Sequence, residues 1–349
     1  MACRTLLPVA DGRRLRAELA AFCERTGLGV MDICRATGLT WPGVYYLKTG
    51  RRNPSPDSAA RLNQYMSEYL RSHPNADKER IERDAMGHPL NAETPGSARC
   101  RAPEGFIMTR AARVVTNALD YCARRRLNGA VFGDPGVGKS EALRYWSAAT
   151  KYEHVVIFCR AYTSYSALLR AFGRALRIEG LAHAELDDAV HEELAERPRM
   201  LVLDEADMLN ARTLDWLRTL WDESGRRSNF MLFAKPAFYQ RLQTVHARSR
   251  QDLRQVWRRL AFRKFLDGID ESEMLEFLAS RGMADKLDDG AAAALFAAIG
   301  GSFGDLDMMA ELMRQMLDEN PKLGGRITPG LVEKARDVRF GADILRRRR

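Results

Sequence analysis

The sequence has no long hydrophobic run. Its longest stretch without a polar or charged side chain, Gly290 to Gly301, is about half the length a bilayer span requires, which excludes a membrane-spanning helix. Cysteine is sparse, with six residues at positions 3, 23, 34, 100, 122 and 159. None forms a Cys-x-x-Cys pair and no histidine stands at ligand spacing from one, so neither a zinc site nor a disulfide frame is expected, and a reducing cytoplasm fits. The first residues lack a charged segment followed by an apolar stretch, so no secretory signal is expected. Neither hydrophobic residues (46%) nor charged ones (29%) are depleted. That balance excludes wholesale disorder and collagen-like repeats. A chain of 349 residues at roughly 100–200 residues per domain implies two or three domains.

Basic residues exceed acidic ones, 55 to 46, for a net charge of +9. The excess favours a polyanionic partner. It is concentrated: Lys235, Arg241, Arg248, Arg250, Arg254, Arg258, Arg259, Arg263 and Lys264 are opposed within that stretch by Asp252 alone. The sequence ends in Arg346-Arg347-Arg348-Arg349, for which a solvated face is an equal reading.

Three zones follow from periodicity and composition, with no internal repeat. Residues 12–71 have helical spacing. Residues 72–104 hold four prolines among Gly, Asn, Ser and charged residues, and read as a linker with a short helix near Asp77–Ala85. From 105 onward, helical patterns alternate with the apolar runs Ala130–Phe132, Val155–Cys159, Met200–Leu203 and Phe230–Ala234. Strands alternating with helices imply an α/β fold with a parallel sheet covered on both faces. Beyond residue 268 only helices are expected, at Glu271–Arg281, Asp288–Ile299, Leu306–Asn320 and Pro329–Val338. The domain reading is thus 12–71, a linker 72–104, a core 105–268, a helical lid 269–345 and a basic tail 346–349.

Gly133-Asp134-Pro135-Gly136-Val137-Gly138-Lys139-Ser140 fits G-x-x-x-x-G-K-[ST]. It follows a strand candidate and opens the helix pattern Ser140–Ala149, the context the motif requires. Its glycines let backbone N–H groups turn toward phosphate oxygens, and the helix N-terminus adds partial positive charge. Lys139 is assigned to the β- and γ-phosphates and Ser140 to Mg²⁺. Glu141 completes the nucleotide-binding segment.

The apolar run Met200–Leu203 ends in Asp204-Glu205, an acidic pair at the C-terminal end of a buried parallel strand. Asp204 is expected to hold Mg²⁺. Glu205 is expected to orient or deprotonate the attacking water; the plain alternative is a helix cap. The next strand ends in Lys235-Pro236, and Lys235 is either a γ-phosphate sensor or an exposed surface lysine.

From about Phe106 to Asn320 this order resembles the AAA+ ATPases: a helix before the first strand, Gly133–Ser140, Leu203-Asp204-Glu205, a sensor strand ending near Lys235, a basic helical stretch and a helical lid. The resemblance implies ATP and Mg²⁺ as cofactors and assembly into rings or filaments. It also implies an arginine reaching a neighbour's ATP. Arg259, and next Arg258, in Trp257-Arg258-Arg259-Leu260 is the candidate. The segment Gly304-Asp305-Leu306-Asp307 departs from the family, with an acid where an arginine is common. A lid contact with the phosphate in the same subunit is therefore not expected, and hydrolysis is expected to be slow or stimulated by a partner.

In the first zone Ile33, Thr37-Gly38-Leu39, Val44 and Leu47 have helix-turn-helix spacing, with helices at Val30–Ala36 and Trp41–Lys48 and Gly38 at the tight turn. Thr40 caps the second helix. Val44 and Leu47 face inward, leaving Thr40, Trp41, Tyr45, Tyr46 and Lys48 for a major groove, with Arg51 and Arg52 for phosphates. Arg61–Leu70 reads as a further packing helix. The pattern resembles the phage-repressor class; a small protein-binding bundle is the alternative.

A helix-turn-helix, a linker and an AAA+ ATPase with a basic stretch, in this order, resemble the B transposition proteins of Mu-type phages. That resemblance implies ATP-dependent, largely sequence-nonspecific binding of double-stranded DNA and a helical filament. It further implies work with a DDE-type transposase in the bacterial cytoplasm. Arg241, Arg248, Arg250 and Arg254 are then candidate DNA contacts. Two other readings remain: a replication initiator or helicase loader, and an ATP-switched sequence-specific regulator.

Overall fold

Apolar residues alternate between two faces of one sheet, and each face is covered by its own helices. The computed structural model describes residues 12–73, 105–159, 164–178, 180–243, 253–321 and 324–341. The first part holds α1 (Gly12–Thr26), α2 (Val30–Thr37), α3 (Trp41–Lys48) and α4 (Pro56–Ser72). The central part runs α5 (Arg110–Arg125), β1 (Asn128–Phe132), α6 (Lys139–Ala149), β2 (His154–Phe158), α7 (Tyr165–Leu176), α8 (His183–Glu196), β3 (Met200–Asp204) and α9 (Ala211–Glu223). It continues through β4 (Asn229–Ala234), α10 (Pro236–Gln243), α11 (Arg254–Arg259) and β5 (Leu260–Phe265). The last part holds α12 (Glu271–Ser280), α13 (Ala291–Ile299), α14 (Phe303–Glu319) and α15 (Pro329–Phe340).

The strands form a wholly parallel sheet in the order β2-β3-β4-β1-β5. All residues of β1, β3 and β4 are buried, as expected for strands covered on both sides. Val131, Val202, Met231 and Phe233 face α5 and α6. Phe132, Ile157, Leu201, Leu203 and Leu232 face the opposite layer with α7, α8 and α9. The α5 stripe Ala111, Val115, Ala118, Leu119 and Cys122 has the spacing of one helix face. α12–α15 bury a separate core around Met274, Leu295, Leu306 and Met313. Among the described residues no helix is long and apolar enough to cross a membrane.

The expected α/β architecture, with helices before and after a parallel sheet, is found. The four strands read from apolar runs are β1 to β4. β5 was not read as a strand: it carries Arg263 and Lys264, and most of its residues are exposed or half-buried because it is the sheet edge. An edge strand need not be apolar on both faces. α4 begins at Pro56, five residues before the expected start, with Ser55 accepting from the Ser58 N–H as its cap. The short helix expected at 77–85 and the tail 346–349 lie outside the described residues.

In the N-terminal module Gly38 adopts φ 68° between α2 and α3, and Val44 and Leu47 are buried. Trp41 corrects the reading. It is only 4% exposed, stacked on Tyr45 with ring centroids 4.3 Å apart, so it is a core residue and not a groove contact. An indole at the first turn of a short helix has more apolar surface to bury than any other α3 residue, and burial wins.

Candidate nucleotide site

β1 and β3 are separated by β4, so the loop after β1, the acidic tip of β3 and the tip of β4 converge at one sheet edge. This is the C-terminal edge of a parallel sheet, where ligands bind in open α/β folds. The loop Gly133–Gly138 turns directly into α6, with Gly138 at φ 88° as its N-cap. Gly136 has φ 84°, and a Cβ there would lie 2.4 Å from Ser302 Oγ. Both glycines are thus required by the backbone, and Gly136 also by the close approach of the lid.

Lys139 Nζ donates to the carbonyls of Gly133 (2.6 Å) and Asp134 (2.8 Å). Burial lowers its pKa, while Asp204, Asp134 and Asp207 act against that shift. Ser140 Oγ donates to Asp204 Oδ2 at 2.5 Å. The other oxygen of Asp204 accepts from the Glu205 N–H at 2.9 Å. Asp204 is buried at 2% exposure, whereas Glu205 is exposed. Glu205 has φ 56°, a left-handed conformation that costs energy for a side chain with a Cβ and recurs where a residue must be aimed at a ligand. Lys235 lies at the β4 tip, 3.7 Å from Asp207 Oδ2.

A cavity of about 430 Å³ is lined by Lys139, Ser140, Asp204, Glu205 and Lys235 on the sheet side and by Phe303, Gly304 and Asp307 on the lid side. The Gly304 N–H donates to the Gly136 carbonyl at 3.0 Å, which ties the first turn of α14 to the phosphate loop. A second, smaller cavity of about 190 Å³ adjoins it, with Phe106, Ile107, Val137, Phe277 and Phe303 among its walls. The two share Gly138, Glu141, Phe303 and Asp307. A chamber that carries Lys139, Asp204, Glu205 and Lys235, joined to one that carries the rings of Phe106 and Phe277, suits a triphosphate joined to a flat base. A hard-oxygen pair, the Ser140 hydroxyl and the Asp204 carboxylate, fits Mg²⁺, which takes few protein ligands and keeps phosphates and water for the rest.

No local spacing in the sequence announces the smaller chamber. Phe106 and Ile107 precede α5, while Phe277 and Phe303 stand on lid helices, and aromatic residues on lid helices look like core. Asp307, the acid noted as a departure, is paired with Arg281 Nη2 at 2.8 Å. Arg281 also lies over the Phe277 ring, 5.0 Å from its centroid. Asp207 was likewise missed; it follows Asp-Glu by two residues with no motif of its own.

Several expected contact residues are engaged within the chain. Arg259 Nη2 lies 2.9 Å from Asp222 Oδ2, and its guanidinium rests over Trp221. Arg258, its neighbour, is exposed. Arg241 corrects the DNA-contact reading. It donates to the carbonyls of Asp207 (2.8 Å) and Leu209 (2.5 Å) and covers Phe238, so it braces the turn after β3. A guanidinium that finds two carbonyls and a ring face is held there in preference to solvent. Arg254 is exposed at the start of α11. Arg248 and Arg250 lie outside the described residues. In the N-terminal module Thr40, Arg51 and Arg52 are exposed and Tyr45 and Tyr46 half-buried. Lys48 is not open to a groove; it pairs with Glu192 and Glu196 of α8.

No curated protein matches the chain. Among solved structures, a RuvB mutant from Thermotoga maritima is similar at 17% identity and TM-score 0.44, over 68% of this chain and 72% of that one. A Walker-type ATPase of Pyrococcus abyssi is similar at 16% identity and TM-score 0.46, over 71% of this chain and 78% of that one. The family model described as an AAA domain matches residues 123–242, which span the phosphate loop, the acidic strand tip and the β4 tip, so this segment of the α/β P-loop fold is similar to AAA domains.

Proposed function

We propose that the protein is an ATPase whose nucleotide state controls assembly on double-stranded DNA, with little sequence preference. In this reading it delivers target DNA to a DDE-type transposase, as the B transposition proteins of Mu-type phages do. The observation that carries the ATPase part is the convergence of Lys139, Ser140, Asp204 and Glu205 on one cavity closed by the lid. Lys139 binds the β- and γ-phosphates once it leaves the two loop carbonyls. Ser140 and Asp204 hold Mg²⁺, which offsets phosphate charge when bound. Glu205 accepts a proton from the attacking water as the water oxygen bonds to the γ-phosphorus and the bond to the β-phosphate oxygen breaks, giving ADP and phosphate.

Lid position is the element that ATP can bias. The Gly304–Gly136 hydrogen bond and the shared wall at Phe303 make the lid part of the cavity, so nucleotide binding and lid orientation are coupled. Arg258 is the stronger candidate for a neighbour's phosphate, since Arg259 is held by Asp222. The DNA part is supported by the net charge of +9 and by exposed Arg254, Arg258 and Lys264 in the basic stretch. A sequence-specific regulator would need α3 open to a groove. With Lys48 engaged by α8, α3 is not so placed in this arrangement. Electron microscopy with random duplex DNA tests the proposal. A continuous protein coat is expected with a slowly hydrolysed ATP analogue and not without it; a footprint at one sequence, or no nucleotide effect, rejects it.

A further inference from the structure

Six of the fourteen residues of α8 are acidic. Asp188, Glu192 and Glu196 recur at four-residue spacing, so they form one stripe with a repeat of about 6 Å along the helix. The end of α3 and the turn after it lie against this stripe. Lys48 Nζ stands 2.9 Å from Glu192 Oε1 and also bonds Glu196 Oε1. Arg51 Nη1 is 3.8 Å from Asp188 Oδ2. Glu196 has a second role, its other oxygen accepting from the Val30 N–H at 3.2 Å. Arg197 pairs with Asp32 of α2, and Arg35 donates to the Leu176 carbonyl at 3.3 Å. The buried apolar cluster extends from the module into the α7–α9 layer without a break. Six polar links across an apolar seam describe a built interface.

The helix held there is the second of the helix-turn-helix, the one that enters a major groove when such a module binds DNA. Its cation and the Arg51 that follows face a regular row of carboxylates. A duplex offers those same two side chains a regular row of phosphates. One Lys48 ammonium cannot serve both rows.

We propose that the carboxylate stripe of α8 is a docking surface for the second helix of the N-terminal module, that it engages Lys48 and Arg51, cations a duplex backbone would take, and that the module binds DNA only after leaving it. This rests on the reading of duplex DNA as partner. Separation returns the carboxylates and the ammonium to water, which recovers much of the lost ion-pair energy. Phosphates then supply the competing charge, with counterion release favouring the exchange.

The test uses the full chain, a random 30-base-pair duplex, and conditions with and without a slowly hydrolysed ATP analogue. Glu192→Gln with Glu196→Gln weakens the row while keeping side-chain volume. Loss of about one charged hydrogen bond predicts about a tenfold gain in duplex affinity without nucleotide, and adding Lys48→Ala abolishes that gain. A double variant that binds duplex as the parent does, while the parent keeps its nucleotide response, overturns the docking proposal and leaves the proposed function standing. Absence of duplex binding by every version in every nucleotide state overturns both. Hydrogen exchange on the unaltered chain gives an independent reading. Amides of α8 and α3 are expected to exchange faster in saturating duplex, and unchanged protection there overturns the proposal even if the double variant fails to fold.

Discussion

The Ser140 hydroxyl and the Asp204 carboxylate are joined by a 2.5 Å hydrogen bond although 64 residues separate them. The bond links the first turn of α6 to the tip of β3, which is not a neighbour of β1 in the sheet. Asp204→Asn keeps the shape of this contact and removes the charge. It is expected to lower Mg²⁺-dependent ATP hydrolysis by about 10²-fold or more, as for loss of a group stabilising transition-state charge. Hydrolysis measured against Mg²⁺ concentration checks this, and a parental rate at low Mg²⁺ would remove Asp204 from the metal site.

Lys139→Ala removes a cation whose present partners are two loop carbonyls. Loss of a charged hydrogen bond to phosphate is expected to weaken ATP binding by about 10- to 100-fold. Titration with a fluorescent ATP analogue reads the change directly, and unchanged affinity would place the triphosphate elsewhere.

Glu205→Gln separates binding from chemistry. The glutamine retains a hydrogen-bond acceptor but is a far weaker base, so hydrolysis is expected to fall by about 10²- to 10⁴-fold with nucleotide affinity little changed. The variant should accumulate in the ATP-bound, DNA-bound form. Normal turnover would assign the water-activating role to another residue.

The two adjacent arginines are expected to behave differently. Arg259→Ala breaks the Asp222 pair and uncovers Trp221, so it should lower the melting temperature. Arg258→Ala leaves those contacts in place. It should preserve stability and ATP binding while reducing hydrolysis only where subunits assemble. Rates measured across protein concentration, beside melting curves, distinguish the two. Equal effects of both variants on stability would reject the assignment.

The geometry of the candidate site was legible because a loop that turns its N–H groups inward demands backbone angles that glycine supplies, and because a buried strand ending in two acids has few structural uses. Gly136 and Gly138 carry positive φ, and that requirement is written in the sequence. The rest depended on long-range packing. β5 was hidden because an edge strand can be basic. Trp41 was misassigned because helical phase does not say which aromatic a small core will take first. Arg241 read as a DNA contact because a charge run does not reveal which members find carbonyl partners. Phe106, Phe277, Arg281 and Phe303 meet only when the lid folds over the sheet, and no local spacing announces that meeting.

Glu193 gives a pH-dependent prediction independent of nucleotide. Burial raises its carboxyl from 4.5 to about 7, although Arg199 counters the shift from 2.6 Å away. The folded chain therefore keeps a proton here that the unfolded chain has released between pH 4.5 and about 7. Stability tied to this proton is fully present below that window and is lost as pH rises through it. Glu193→Gln should flatten the slope, so that melting temperature compared across the window falls less with rising pH in the variant than in the parent. Parallel curves would show that Glu193 ionises normally.

Nucleotide–DNA linkage tests the central claim most directly. If one pocket governs assembly on duplex, a saturating ATP analogue must tighten duplex binding by some factor, and saturating duplex must tighten analogue binding by the same factor. The account predicts a common factor of about 5 to 150, the usual range of coupling between two sites, and its loss in Lys139→Ala. Duplex affinity that is the same with analogue, with ADP and with no nucleotide would contradict it.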